Sequence, residues 1–230
     1  MNAIEQPPRT VWVCINGILT LPGDSEGWTD RAVTWLQTRT TAKAEKWEYA
    51  AGPITRRLRQ QARAWKIARM LGYYQHAGYA CVLAGHSNGC DLIARVLALR
   101  GREGCFGAPV RAAHLVAPAA DWGDFARALA RWDVGRVHIY GSRSDGALRV
   151  AAVSEKLLGW AGLGYGSLGL EGEARALADG RAALAAGRAP RVFDHSDDRL
   201  GHSTWWERGV RFEETMRGLT RNETDFHASP

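Results

Sequence analysis

The pattern Gly-x-Ser-x-Gly can raise a serine hydroxyl out of a sharp turn as a nucleophile, and it occurs twice, as "GDSEG" around Ser25 and "GHSNG" around Ser87. A serine attacks a carbonyl only when a base takes its proton, commonly a histidine oriented by a carboxylate. Random placement of the 26 Gly and 9 Ser of this chain would give roughly 0.1 matches, so one accidental match is unsurprising. The surroundings of each serine must separate them.

Ser25 follows Pro22 and Gly23, lies between Asp24 and Glu26, and precedes an amphipathic stretch that starts near Trp28. A polar turn feeding a helix uses such residues as caps. Two flanking carboxylates would also oppose the negative charge of a tetrahedral oxyanion, so Ser25 reads as a turn residue. Ser87 instead joins the apolar run "YACVLAGH" to "SNGCDLIARVLALR", where Leu92, Ile93, Val96, Leu97 and Leu99 supply an apolar helical face. A strand that passes this abruptly into a helix strains the central residue and pushes its side chain above the sheet. Gly85 and Gly89 then have a steric purpose, since a side chain at either would meet the neighbouring strand or helix. The turn also aims the Asn88 backbone N–H, at the positive end of the helix, toward a substrate oxygen. The bland alternative is a turn whose serine only caps the helix.

Such a turn needs a sheet and flanking helices to hold it. Short apolar runs alternate with longer amphipathic segments, the pattern of an α/β protein with a mostly parallel central sheet and helices on both faces. Strands are expected at "TVWVCING", "KWEYAA", "YACVLAGH", "AAHLVAP", "RVHIYGS" and "PRVFDH", with helices near 28–40, 54–77, 88–101, 122–132, 146–160 and 203–219. Residues 161–190 begin glycine-rich and become alanine-rich, which reads as an inserted loop and short helix, either a lid or, preferably, a connection. At 230 residues the chain fits a single domain with a core over about 10–219 and flexible termini.

Composition narrows the class further. An apolar content of 46% and ten Trp indicate a packed globular protein, and no apolar run approaches the ~18 residues of a membrane span. The start "MNAIEQPPRT" lacks a basic segment followed by an apolar run, so no signal peptide is expected and the default location is cytoplasmic. Cys14, Cys81, Cys90 and Cys105 have no CxxC spacing and read as reduced, mostly buried thiols. The net charge of +6 rests on 26 Arg and 4 Lys spread along the chain, a bias of composition and not a nucleic-acid footprint. In "ITRRLRQQARAWKIARML" the apolar positions Ile54, Leu58, Ala62, Trp65, Ala68 and Met70 or Leu71 have helical spacing, which leaves the arginines solvated. A docking surface for an acidic partner or anionic membrane is the minor alternative.

With these residues in hand, the chain from about Thr10 to about Leu219 resembles the α/β-hydrolase superfamily of esterase- and lipase-like serine hydrolases. The resemblance implies the order serine, then an acid after a later strand, then a histidine after the last strand. Asp145, in the loop after "RVHIYGS", fits the acid, and Asp121, one strand earlier, is its alternative. Among seven histidines, His202 in "DDRLGHSTWW" fits the base and His195 is its runner-up. His86 is frequent beside the nucleophile in lipases of the family, but a side chain there should point elsewhere. His76, His114 and His138 read as packing or surface residues. The loop after the first strand would supply the second oxyanion donor, the Ile18 N–H, with Gly17 permitting close approach and Asn16 replacing the usual histidine. Trp122, Trp205 and Trp206 would line a pocket or pack the core. The resemblance implies a carboxylic ester with a small-molecule or lipid-like acyl group, cleaved through an acyl-enzyme without metal or cofactor. Thioesters, amides or peptides suit the same triad, and a non-catalytic binding protein on the same fold is the competing class.

Overall fold

Along the first strand, β1 (Arg9–Ile15), Val11, Val13 and Ile15 face one side of the sheet while Trp12 and Cys14 face the other, and all five are buried. Burial on both faces is the signature of a parallel strand covered by helices. The computed structural model describes residues 9–17, 27–49, 56–103, 108–149, 168 and 191–224. Over these the order is β1, α1 (Trp28–Arg39), β2 (Lys43–Trp47), α2 (Arg56–His76), β3 (Tyr79–His86), α3 (Gly89–Glu103), β4 (Val110–Val116), α4 (Trp122–Ala130), β5 (Val134–Tyr140), β6 (Val192–Asp194), a 3₁₀ turn (Thr204–Trp206) and α5 (Val210–Thr224).

Among the described residues six strands form one parallel sheet in the order β2-β1-β3-β4-β5-β6. One face carries α2, α3 and α4, whose Ile67, Leu71, Leu92, Ile93, Val96 and Phe125 pack on Val13, Leu83, Leu115 and Ile139. On the other lie α1 and α5, where Trp28, Leu36, Phe212 and Met216 cover Trp12, Val82 and Tyr140. The chain leaves β1 outward to β2 and then crosses back to β3 on the opposite side. The strand order therefore reverses between β1 and β3, and ligands of open α/β sheets bind beyond the carboxyl ends at such a point.

Three sequence expectations need correction. The second strand lies at Lys43–Trp47, three residues before "KWEYAA", because its register against β1 runs from Lys43 beside Val11 to Trp47 beside Ile15. As an edge strand it tolerates polar residues, and Tyr49 beyond it is free to enter the core. The buried stripe of α2 is Gln60, Ala64, Ile67, Ala68, Leu71 and Tyr74, not the stripe through Ala62, which is exposed. The last helix starts at Val210 and not near 203, since a 3₁₀ turn and Gly209, at φ +82°, interrupt the chain before it. The 146–160 helix is described only over its first turn, 146–149. The 161–190 insertion lies outside the described residues except for Leu168, which is buried and donates its N–H to the Ala120 carbonyl at 3.1 Å. No helix among the described residues is long and apolar enough to cross a membrane.

Candidate active site

At the carboxyl end of β3 the chain turns directly into α3, and Ser87 takes φ +52°, a left-handed conformation that costs a non-glycine residue energy. Surrounding bonds enforce it. The Ser87 N–H donates to the Val116 carbonyl at 2.9 Å, and the Ser87 carbonyl accepts from the N–H groups of Cys90 and Ala119 at 3.1 and 3.2 Å. A Cβ on Gly85 would lie 2.7 Å from Ile93 Cδ1, and one on Gly89 would lie 2.6 Å from the carbonyl oxygens of both Ile15 and Asn16. The second clash is with main chain, which cannot swing aside. Gly89→Ala is therefore expected to cost about 3 kcal/mol of stability through overpacking, read as a lowered urea midpoint at unchanged slope.

Gly17, just past β1, closes the other side of the site. A Cβ there would stand 3.1 Å from Ser87 Cβ and 3.2 Å from the His86 carbonyl, so a side chain at this position would push the loop and the serine turn apart by a few tenths of an ångström. Ile18, the next residue, lies outside the described residues, as does Ser25. Asn88 is fully buried at the start of α3, and its side-chain Nδ2 donates to the Tyr49 hydroxyl at 3.0 Å.

Asp145 and His202 meet. The His202 Nδ1–H donates to Asp145 Oδ2 at 2.8 Å, with the Asp145 side chain 1% exposed and that of His202 22% exposed. The other carboxylate oxygen accepts the Leu148 N–H at 3.0 Å, so Asp145 also caps the helical turn that follows it. Sequence reasoning missed what holds the two loops together. Asp198 Oδ1 accepts the Arg143 N–H at 2.8 Å, Ser144 Oγ donates to the Asp198 carbonyl at 2.7 Å, and Ser196 Oγ accepts the Gly141 N–H at 3.1 Å. Polar loop residues near the acid and the base were the available signal, but their pairing depends on loop closure.

The alternatives fall elsewhere. Asp121 stands exposed at the N-cap position of α4. His195 belongs to a buried network on the α5 face: its Nε2 lies 3.0 Å from His138 Nδ1 and 3.3 Å from Asn222 Nδ2, and its ring stacks on Tyr140 at 4.7 Å. In the same network His114 Nε2–H donates to Glu223 Oε1 at 3.2 Å, while Arg111 and Arg136 reach Glu223 Oε2 at 3.1 and 3.4 Å. His114, His138 and Glu223 bring three donor atoms within 4.8 Å of one another. The two imidazoles are stacked at 4.6 Å and 10° from parallel, so their lone pairs run side by side instead of converging on one ion. With two guanidiniums already on the carboxylate, this is a charge network that fastens α5 to the sheet. The described cysteines Cys14, Cys81 and Cys90 are free and buried.

Burial, and secondly the neighbouring His202, push the His86 imidazole down to about 4. Burial likewise holds His138 well below the ordinary histidine range, with His114 and His195 adding to it, and burial followed by His114 lowers His195. Below about pH 6.5 the unfolded chain takes up protons that these folded imidazoles refuse. Stability is expected to fall as pH drops from there toward 4, by about 1.4 kcal/mol per pH unit for each excluded proton. Chemical denaturation at pH 7 and pH 5 measures it.

Trp122, the first residue of α4, is buried in the core on the α4 face, and Trp205 and Trp206 in the core on the α5 face. Trp206 stacks on Trp28 at 4.1 Å and 16°, and both present ring edges to His86 at 6.2 and 6.4 Å. These tryptophans pack first, and two of them back the residue beside Ser87.

No protein-family model and no curated protein matches the sequence. Solved structures match its fold. Over 94% of its length the chain superposes on 99% of a hydrolase α/β-superfamily protein from Xanthomonas campestris pv. campestris, with a TM-score of 0.54 at 17% identity. The chain has the α/β-hydrolase fold. Two further similar structures are an esterase from Rhizomucor miehei (TM-score 0.54, 13% identity, 96% of this chain and 76% of that one) and an esterase from Mycobacterium marinum (0.53, 12%, 95% and 73%). Ser87 lies in the strand-to-helix turn after β3 and His202 in the loop after β6.

Proposed function

We propose that this protein is a serine hydrolase that cleaves a carboxylic ester through an acyl-enzyme, with Ser87 as nucleophile, His202 as general base and acid, and Asp145 as the residue that orients and stabilises the imidazole. One observation carries the reading most: a buried carboxylate accepts the His202 Nδ1–H beside the strained Ser87 turn, which fixes the tautomer with a basic Nε2. The esterases among the similar structures support the substrate class by analogy of fold.

In this mechanism Ser87 Oγ attacks the ester carbonyl carbon as its proton passes to His202 Nε2. The carbonyl oxygen becomes an oxyanion, held by the backbone N–H groups of Asn88 and Ile18. On collapse the C–O bond to the alcohol breaks and His202 returns the proton to the departing oxygen. Water then attacks the acyl-serine with His202 again as base, and the carboxylic acid leaves. Neither a metal nor an organic cofactor takes part. Thioesters, amides and peptides follow the same steps, and a panel of leaving groups distinguishes them.

The rival class is a non-catalytic binding protein on this fold. A binding surface gains nothing from a buried carboxylate aimed at a half-buried histidine, which favours the enzyme. Fluorophosphonate labelling tests the choice. Wild type and Ser25→Ala are expected to take up the label and Ser87→Ala to exclude it; a folded wild type that takes no label and cleaves no short-chain nitrophenyl ester would sink the proposal.

A further inference from the structure

We propose that His86 is a positioning residue that ties the base-bearing loop to the nucleophile turn by donating a hydrogen bond from its side chain to the main chain of His202. The inference rests on the hydrolase reading above and adds to it a residue that touches no reacting atom.

The geometry is specific. His86 Nε2 lies 3.0 Å from the His202 carbonyl oxygen, 116 residues away in sequence. A carbonyl can only accept, so Nε2 carries the proton and the neutral ring keeps its lone pair on Nδ1. That atom lies 3.5 Å from where a Gly17 Cβ would stand, facing the loop after β1. The enclosed ring holds its pKa down to about 4, so it stays neutral at working pH and adds no charge against an imidazolium at His202. The two imidazoles lie 4.9 Å apart and tilted by 46°, and the edge contacts of Trp28 and Trp206 restrict the rotation of His86.

His202 is thus fixed at two points. Asp145 holds its side chain through Nδ1, and His86 holds its carbonyl. Since His86 directly precedes Ser87, the second bond sets the distance between base loop and nucleophile turn through a single residue. The bonds of Ser144 and Asp198 hold the base loop to the acid loop, whereas the His86 bond ties it to the nucleophile turn; a shift of about 1 Å in a reacting group costs about 100-fold in rate.

The test compares variants of the full chain on a short-chain nitrophenyl ester. His86→Phe keeps an aromatic ring against the tryptophans but has no donor; it is expected to lower kcat by about 10- to 100-fold with KM within about twofold. His86→Gln places an amide N–H near the position of Nε2 and is expected to recover kcat to within about threefold of wild type, whereas His86→Asn reaches only as far as Nδ1 and is expected to stay impaired. Should the Phe variant fail to fold, the Gln and Asn pair decides. Wild-type kcat in the Phe variant, or equal loss in folded Gln and Asn variants, overturns the proposal. The low-field proton resonance of the His202–Asp145 hydrogen bond gives a readout independent of turnover, expected to broaden or shift in His86→Phe and Asn and to return in Gln. An unchanged resonance in all three overturns the clamp, while a wild type that neither turns over nor takes a fluorophosphonate overturns the hydrolase reading alone.

Discussion

Ser87→Ala is expected to lower kcat for a short-chain nitrophenyl ester by about a million-fold, to the level left by binding and oxyanion stabilisation alone. Removing the hydroxyl removes the covalent route entirely, so the loss should appear in kcat with KM little changed. Folding should survive, because the bonds that shape the turn are made by the Ser87 main chain, its N–H to Val116 and its carbonyl from Cys90 and Ala119. Alanine keeps the left-handed strain that serine bears and retains the Cβ already present there, so it adds no clash. A similar fall on Ser25→Ala, or retention of rate in Ser87→Ala, would remove Ser87 from the mechanism.

Asp145→Asn is expected to lower kcat by about 10⁴-fold while leaving stability nearly unchanged. The two oxygens of Asp145 have separate duties, Oδ2 at His202 Nδ1–H and Oδ1 at the Leu148 N–H. Asparagine can keep its oxygen on Leu148, preserving the cap, but must then turn its NH₂ toward His202. Two donors face one another, the imidazole shifts its proton to Nε2, and the base is lost. Asp145→Ala adds the missing cap, expected to cost about 1 kcal/mol on top of the same kinetic defect. Asp121→Asn, exposed at the start of α4, is expected to leave kcat within about threefold of wild type. Steady-state kinetics with parallel urea denaturation separates these outcomes; a larger kinetic loss at Asp121 than at Asp145 would reassign the acid.

Elements buried on both faces were the most legible in the sequence. β3 lies at "YACVLAGH" as expected, and the amphipathic helices α1 and α3, each buried on one face, also begin within a residue of their expected starts. In each case the local pattern decides the structure, an unbroken apolar run for the strand and spaced apolar positions for the helices. The edge strand β2 was misplaced because pairing on one side only leaves its sequence, "KAEKW", with little apolar signature. On α2 the buried stripe was misjudged because alanine fits either face; Ile67, Leu71 and Tyr74 fix the orientation, and Gln60 follows them inward.

For the site, the sequence by itself determined the turn: glycines two residues on either side of Ser87, a strand before it and an apolar helical face after it leave few backbone paths, and the strain at Ser87 follows from those neighbours. What only the tertiary structure decided were the pairings across long separations. Asp145 and His202 are 57 residues apart, and that contact exists because Ser144, Ser196 and Asp198 lace their loops together. The same is true of His195, drawn into the buried network with His138 and Asn222, and of His86, whose ring reaches the His202 carbonyl. Short-range sterics shape a turn locally, but a side chain's hydrogen-bond partner is set by where distant loops close, and no local pattern encodes that.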